Sequence, residues 1–183
     1  NNYIFYPAIM MPHKNHIYIL KAVKILKEEE NILLDIIFSG SDRGNLSYIL
    51  DKAKEYGISQ QLKYIGFAPD EHIPCLYQQS LSLVMPTYLG PTNIPPLEAF
   101  FYKVPVCYSD TEFFREQVGD AVFYMDLFQP RSLTQHLLTL VKEDDIVISR
   151  MQLDYVWSPR KDTYAKLSGG IYETMFAGYG IET

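Results

Sequence analysis

The chain has 183 residues and a mass of 21.2 kDa, enough for one domain with a sizeable core, and its 48% hydrophobic and 21% charged content is ordinary for a globular protein. A net charge of −6 with a pI near 5.2 excludes the basic face that a nucleic-acid binder needs to neutralise phosphates. No apolar run approaches the ~18 residues of a membrane span, and no charged segment followed by an apolar one marks a secretory leader.

Short apolar runs alternate with amphipathic segments. The first strand is expected over 3–6, Tyr3-Ile-Phe-Tyr, where the chain starts so abruptly that it reads as a domain excised from a larger protein. A turn rich in Pro, His and Lys leads into a helix over 16–30, with Ile17, Leu20, Val23, Ile25 and Leu26 on one broad face. A strand over 33–39 precedes a helix over 46–56, closed by Gly57 where a left-handed residue is wanted. Next come a strand over 62–66, a helix over 70–79 with Asp70 as N-cap, and a strand over 81–85. A helix over 95–102, a strand over 105–108 and a short helix over 112–117 behind Thr111 follow. A strand over 122–124 and a helix over 130–142 opened by Pro130 complete the regular part.

After Lys142 the pattern changes. A short helix is expected over 144–153 and a Tyr-rich helix over 163–176. The 15 Tyr and 10 Phe lie mostly inside these patterns and read as core and helix faces. Cys75 and Cys107 have neither metal spacing nor a disulfide framework, so a reducing, cytoplasmic setting is expected. There is no repeat and no interdomain linker, so residues 1–183 are expected to form a single domain. Unbroken apolar strands alternating with helices specify an α/β fold with a doubly wound parallel sheet.

In such a sheet a ligand sits beyond the carboxyl ends of the strands. The segment 83–100 has the necessary form. Pro86 ends a strand, Gly90-Pro91 turns the chain, and Thr92 or Asn93 caps a helix whose first turn tolerates Pro95 and Pro96. The remaining N–H groups of Thr92, Asn93 and Ile94 can hold an anion or a sugar hydroxyl. Two roles fit Glu98: stabilising the helix start by ~0.3–1 kcal/mol, or accepting hydrogen bonds from a ribose diol. Lys14, on sequence alone, reads as a solvated loop lysine. Phe67, on its own, reads as a core residue. His13 and His16 are three apart with no third ligand nearby in sequence, so a zinc site is not expected.

The segment 86–99 resembles the donor-sugar loop of the retaining "family 4" glycosyltransferases with two Rossmann-like domains, which reads roughly P-S-x-x-E-G-F-G-L-P-P-L-E-A. The match runs through Pro95-Pro96-Leu97-Glu98-Ala99. Lys14 corresponds to the lysine of the G-R-L-x-x-x-K-G pattern, Phe38-Ser39-Gly40-Ser41 to the turn after the second strand, and Tyr64-Ile65-Gly66-Phe67-Ala68 to the base-binding segment. Tyr102–Asp110 and Phe114–Ala121 resemble G-x-P-V-V-x-S-D and E-x-x-G-D-A, so the likeness spans 4 to about 138. Two departures stand out: Gly90 replaces the first loop glutamate, which in relatives contacts the transferred sugar, and Ile9 replaces the phosphate-binding arginine.

The resemblance implies the C-terminal, Rossmann-like half of a GT-B fold. Its substrate is a nucleotide-diphospho-sugar, bound without cofactor or metal, and the sugar passes with retention to a glycan or lipid-linked acceptor in polysaccharide biosynthesis. Lys14 then serves catalysis. Glu98, Thr92, Asn93, Ile94, the Gly90 loop and Phe67 bind the donor, and a separate N-terminal domain holds the acceptor. Such an enzyme works in the cytoplasm or peripherally at the inner face of the membrane. The missing glutamate and arginine leave a rival reading, a non-catalytic scaffold subunit.

Overall fold

Strands covered by helices on both faces need apolar side chains on both, and six such runs form one parallel sheet. They are β1 (Tyr3–Pro7), β2 (Asp35–Ser39), β3 (Leu62–Tyr64), β4 (Ser82–Met85), β5 (Val106–Ser109) and β6 (Phe123–Met125). The computed structural model describes residues 3–90, 94–149, 152–160, 163–173 and 176–182. Helices α1 (His16–Glu30), α2 (Leu46–Glu55), α3 (Ile73–Gln78), α4 (Pro95–Phe101), α5 (Glu112–Val118) and α6 (Pro130–Ser149) alternate with the strands. The chain divides into two compact units, Asn1–Leu140 and Val141–Thr183.

The strand order is β3-β2-β1-β4-β5-β6. Winding proceeds outward from β1 to β3, then returns to β1's other side and runs out to β6. Between β1 and β4 the direction reverses, which opens a crevice at their carboxyl ends. In the two central strands Ile4, Phe5, Tyr6, Leu83, Val84 and Met85 are all buried, and β5 beside them is buried throughout. Burying each such side chain contributes ~1.5–3 kcal/mol, so the strands bordering the crevice are firmly held.

Local chemistry explains most boundaries. Asn31 ends α1 and Gly57 follows α2, both left-handed. The Thr111 side chain accepts a hydrogen bond from the Phe114 N–H and caps α5. Asp70 does not cap a helix as expected. It is the first residue of a 3-10 turn, Asp70–His72, entered from extended Pro69, and α3 begins only at Ile73. The buried face of α1 is also turned from the expected one. Tyr18, Ile19 and Ala22 are inside with Leu20, Val23 and Leu26, while Ile17 and Ile25 are only half-buried. The Tyr18 hydroxyl fixes this rotation by donating to the carbonyls of Asp126, at 2.8 Å, and Gln129, at 3.1 Å.

The second unit departs from expectation. Residues 144–149 prolong α6, residues 150 and 151 lie outside the described residues, and residues 152–153 open a strand rather than closing a helix. Among the described residues of 163–176, where a helix is expected, the chain is strand instead. Antiparallel strands β7 (Gln152–Arg160), β8 (Thr163–Glu173) and β9 (Phe176–Glu182) form a three-stranded sheet in that order. The adjacent Gly169 and Gly170 would each cost a helix interior ~1 kcal/mol, whereas Thr163, Tyr164, Ile171 and Tyr172 suit a strand.

Candidate functional site

The site is built where the loops after β1 and β4 meet at the crevice. Tyr6 ends the buried part of β1 and donates its hydroxyl to the Lys14 carbonyl at 2.9 Å. This closes a 3-10 turn, Pro12–Lys14, that Asn15 leaves with a φ of 56°. Left-handed backbone favours Gly, then Asn, so Asn15 suits the position where the family pattern has its glycine. From β4, the Tyr88 N–H donates to the His13 carbonyl at 3.0 Å. The Thr87 hydroxyl lies 2.6 Å from the Leu89 carbonyl and 3.3 Å from that of His13. Ser109, from β5, donates to the carbonyls of Met85 and Thr87. The two loops therefore form one hydrogen-bonded rim.

Lys14 is held on that rim. Its Nζ lies 3.5 Å from the Leu89 carbonyl, and among the described residues no carboxylate pairs with it. Partial burial pushes its pKa below the ordinary lysine value, because desolvation penalises the cation. It is thus not a freely solvated loop lysine. An under-compensated ammonium at the carboxyl edge of a sheet attracts an anion.

The other wall is made by the loops after β2 and β3. Gly40 has a φ of 138°, and a Cβ there would lie 2.4 Å from the Ala8 carbonyl oxygen, so only glycine lets the two loops approach. The Gly40 N–H donates to the Gly66 carbonyl at 2.8 Å, and the Tyr64 hydroxyl to the Gly40 carbonyl at 2.7 Å. A cleft of ≈ 280 Å³ results, lined among others by Pro7, Ala8, Ile9, Gly40, Phe67 and Glu98. Phe67 is 77% exposed, which rules out the core alternative and leaves its ring at the cleft. Ile9 lines the same cleft with an alkyl chain where the family pattern has its arginine.

Glu98 enters this cleft from the first turn of α4, which starts behind Ile94 with Pro95 and Pro96. Ile94 is exposed, and its carbonyl accepts from the N–H groups of Leu97 and Glu98. Its side chain makes no capping hydrogen bond. Thr92 and Asn93, expected as caps and donors, lie outside the described residues. Glu98 Oε2 accepts a hydrogen bond from the buried Tyr77 hydroxyl at 2.8 Å. No local motif announces Tyr77, which lies 21 residues upstream.

A larger cavity of ≈ 450 Å³ adjoins the β4 loop, lined by Tyr88, Leu89, Gly90, Thr111, Phe113 and Phe114. Among the described residues its lining carries no carboxylate or cation, whereas the smaller cleft carries Asp70 and Glu98. Gly90 therefore borders an apolar wall at the position of the family's first glutamate.

A parallel, doubly wound sheet with a ligand-sized cleft at its switch point defines a Rossmann-like α/β domain. The model of the family described as glycosyl transferases group 1 matches residues 1–155. The chain belongs to this family. It is 32% identical over 143 residues to the O-antigen chain mannosyltransferase B of Escherichia coli, covering 78% of this chain and 37% of that protein. The chain thus spans little more than a third of that relative's length. Solved structures agree on the fold. Anabaena Alr3699/HepE in complex with UDP and glucose gives a TM-score of 0.69 at 16% identity, over 79% of this chain and 40% of that one. WaaG, a glycosyltransferase involved in lipopolysaccharide biosynthesis, gives 0.65 at 16% identity, over 79% and 39%. The six-stranded unit is accordingly one Rossmann-like half of a GT-B fold.

Proposed function

We propose that the chain is the donor-binding part of a retaining, metal-independent glycosyltransferase that uses a nucleotide-diphospho-sugar. The observation that supports this reading is that both groups stand on segments that follow the strands' carboxyl ends. Lys14, after β1, has its ammonium 3.5 Å from the Leu89 carbonyl of the β4 loop. Glu98, after β4, lines the cleft beside Ala8 and Ile9, although Lys14 is not itself part of that lining. Glu98 accepts hydrogen bonds from the ribose diol, Phe67 lies against the base, and Lys14 meets the diphosphate. As the glycosidic bond breaks, negative charge grows on the leaving phosphate, and a fixed cation there stabilises the transition state. With Ile9 in place of an arginine, Lys14 bears that charge without a second cation from the β1 loop. Loop residues Gly90, Thr92, Asn93 and Ile94 border the sugar. The acceptor, a glycan or lipid-linked sugar in polysaccharide biosynthesis, is held by a second domain within the remaining length that the curated relative has. The two free cysteines fit a reaction in the cytoplasm or at the inner membrane face.

Thermal denaturation with UDP-, GDP- and dTDP-sugars tests the reading. One of them at a hundred times its dissociation constant is expected to add ~2.7 kcal/mol of stability, and, for a UDP- or GDP-sugar, whose ribose carries the 2′,3′-diol, Glu98→Ala to abolish most of that gain. An unchanged gain in the variant removes Glu98 from the ribose. Ile9 and Gly90 favour a second reading, a scaffold that has lost donor binding, and no response to any of the three sugars would establish it. For Lys14→Met, affinity for the diphosphate is expected to fall roughly tenfold to a hundredfold, from loss of a charge-assisted contact of ~1.5–3 kcal/mol. Affinity for the bare nucleoside, measured by titration calorimetry, should stay the same. An equal loss for both ligands would assign Lys14 to loop structure instead.

A further inference from the structure

We propose that Tyr77 is a positioning residue for the donor ribose: its hydroxyl fixes the Glu98 carboxylate so that Oε1 faces the diol. The proposal rests on the donor-binding reading above and adds to it the device that orients the carboxylate. Three observations carry it.

First, the Tyr77 hydroxyl has two acceptors, Glu98 Oε2 at 2.8 Å and the Pro95 carbonyl at 3.4 Å, and the shorter contact is with the carboxylate. Among the described residues no donor reaches Oε1, so half of the carboxylate is committed to protein and half is left to a ligand. Secondly, Tyr77 cannot turn away. It is fully buried, its ring meets Phe5 of β1 edge-on at 5.1 Å and 88°, and it stacks on Tyr102 at 5.5 Å. The hydroxyl is therefore referenced to the central strand. Thirdly, Glu98 itself is half-exposed on a seven-residue helix and belongs to the lining of the cleft. A carboxylate in that setting samples several rotamers unless something holds it, and restricting it in advance lowers the entropic cost of binding a diol. Burial, reinforced by the neighbouring Glu98 anion, raises the phenol's pKa, so it remains a donor across the physiological range.

The test uses UDP and GDP, each in its ribose form and its 2′,3′-dideoxy form, with wild type, Tyr77→Phe, Glu98→Ala and the double variant. Phenylalanine keeps the ring and its packing and removes only the hydroxyl. Tyr77→Phe is expected to weaken the ribonucleotide that binds roughly three- to tenfold, leave its dideoxy form unchanged, and have no further effect in the Glu98→Ala background. Unchanged ribonucleotide affinity in Tyr77→Phe, alongside a loss in Glu98→Ala, overturns the proposal and leaves the donor reading standing. Equal weakening of the ribose and dideoxy forms also overturns it, because Tyr77 would then act through packing. Wild type that binds neither nucleotide, or Glu98→Ala that binds like wild type, defeats the ribose contact of Glu98 and this proposal with it.

Discussion

Gly40→Ala is expected to lower the stability of the six-stranded unit by ~3 kcal/mol or more, the cost of a steric conflict combined with a strained backbone. The added Cβ would stand 2.4 Å from the Ala8 carbonyl oxygen and 2.6 Å from its carbon. Both are backbone atoms with no rotamer through which to escape. Relief requires the β1 and β2 loops to separate, yet they are joined by Ala8 N–H to the Ser39 carbonyl at 2.7 Å and Met10 N–H to the Ser41 carbonyl at 3.0 Å. Gly44→Ala is the matched control. Gly44 also has a positive φ, 89°, but its Cβ would meet nothing within 4 Å. Only the conformational cost, ~1 kcal/mol, is expected there. With a urea dependence of ~1–3 kcal/mol per molar, Gly40→Ala should move the midpoint down by at least 1 M relative to wild type. Equal midpoints for the two variants would mean that the loops are not in close contact. Because Ala8 and Gly40 line the cleft, loss of nucleotide stabilisation should accompany the effect.

What could be read in advance follows the range of the interactions involved. The strands were legible because covered parallel strands leave unbroken apolar runs, and α1 was legible in both its ends, His16 and Glu30. The end of β4 at Met85 and the start of α4 at Pro95 were legible because Pro86 and the Pro95-Pro96 pair each impose a local conformation, while the turn and cap expected at 91–93 lie outside the described residues. Contacts between distant segments left no such trace. Gly40 looks like any turn glycine until Ala8 is beside it, and the Tyr77 hydroxyl has no visible purpose until α4 brings Glu98 within reach. The Lys14 turn is fixed by Tyr88 and Thr87, more than seventy residues later in the chain. In the second unit the aromatic spacing matches a helix and a strand about equally well, and the Gly169-Gly170 pair is what excludes the helix.

His16 should make the fold acid-sensitive over a window set by one imidazole. It is 1% exposed, packed 4.7 Å from the Phe38 ring and 5.0 Å from that of Tyr6, and neither ring nitrogen has a hydrogen-bond partner among the described residues. Burial, reinforced by the Lys14 and His13 charges, lowers its pKa from 6.5 to about 3. The folded chain therefore holds His16 neutral, whereas the unfolded chain takes up a proton below about pH 6.5. Between these values the unfolded state binds more protons, so stability falls as the pH falls, by up to ~1.4 kcal/mol per unit. Over the whole window the loss is on the order of 4–5 kcal/mol, comparable with the stability of a typical domain. His16→Leu removes the proton site and suits the aromatic surroundings, since it also removes two unsatisfied polar atoms. The variant is expected to match wild type within ~1 kcal/mol at pH 7 and to exceed it by ~2 kcal/mol at pH 5. Carboxylates titrate alike in both proteins and cancel in the difference. Urea midpoints measured at the two pH values decide the matter: parallel losses for both proteins between pH 7 and pH 5 would show that His16 takes up its proton without leaving the core.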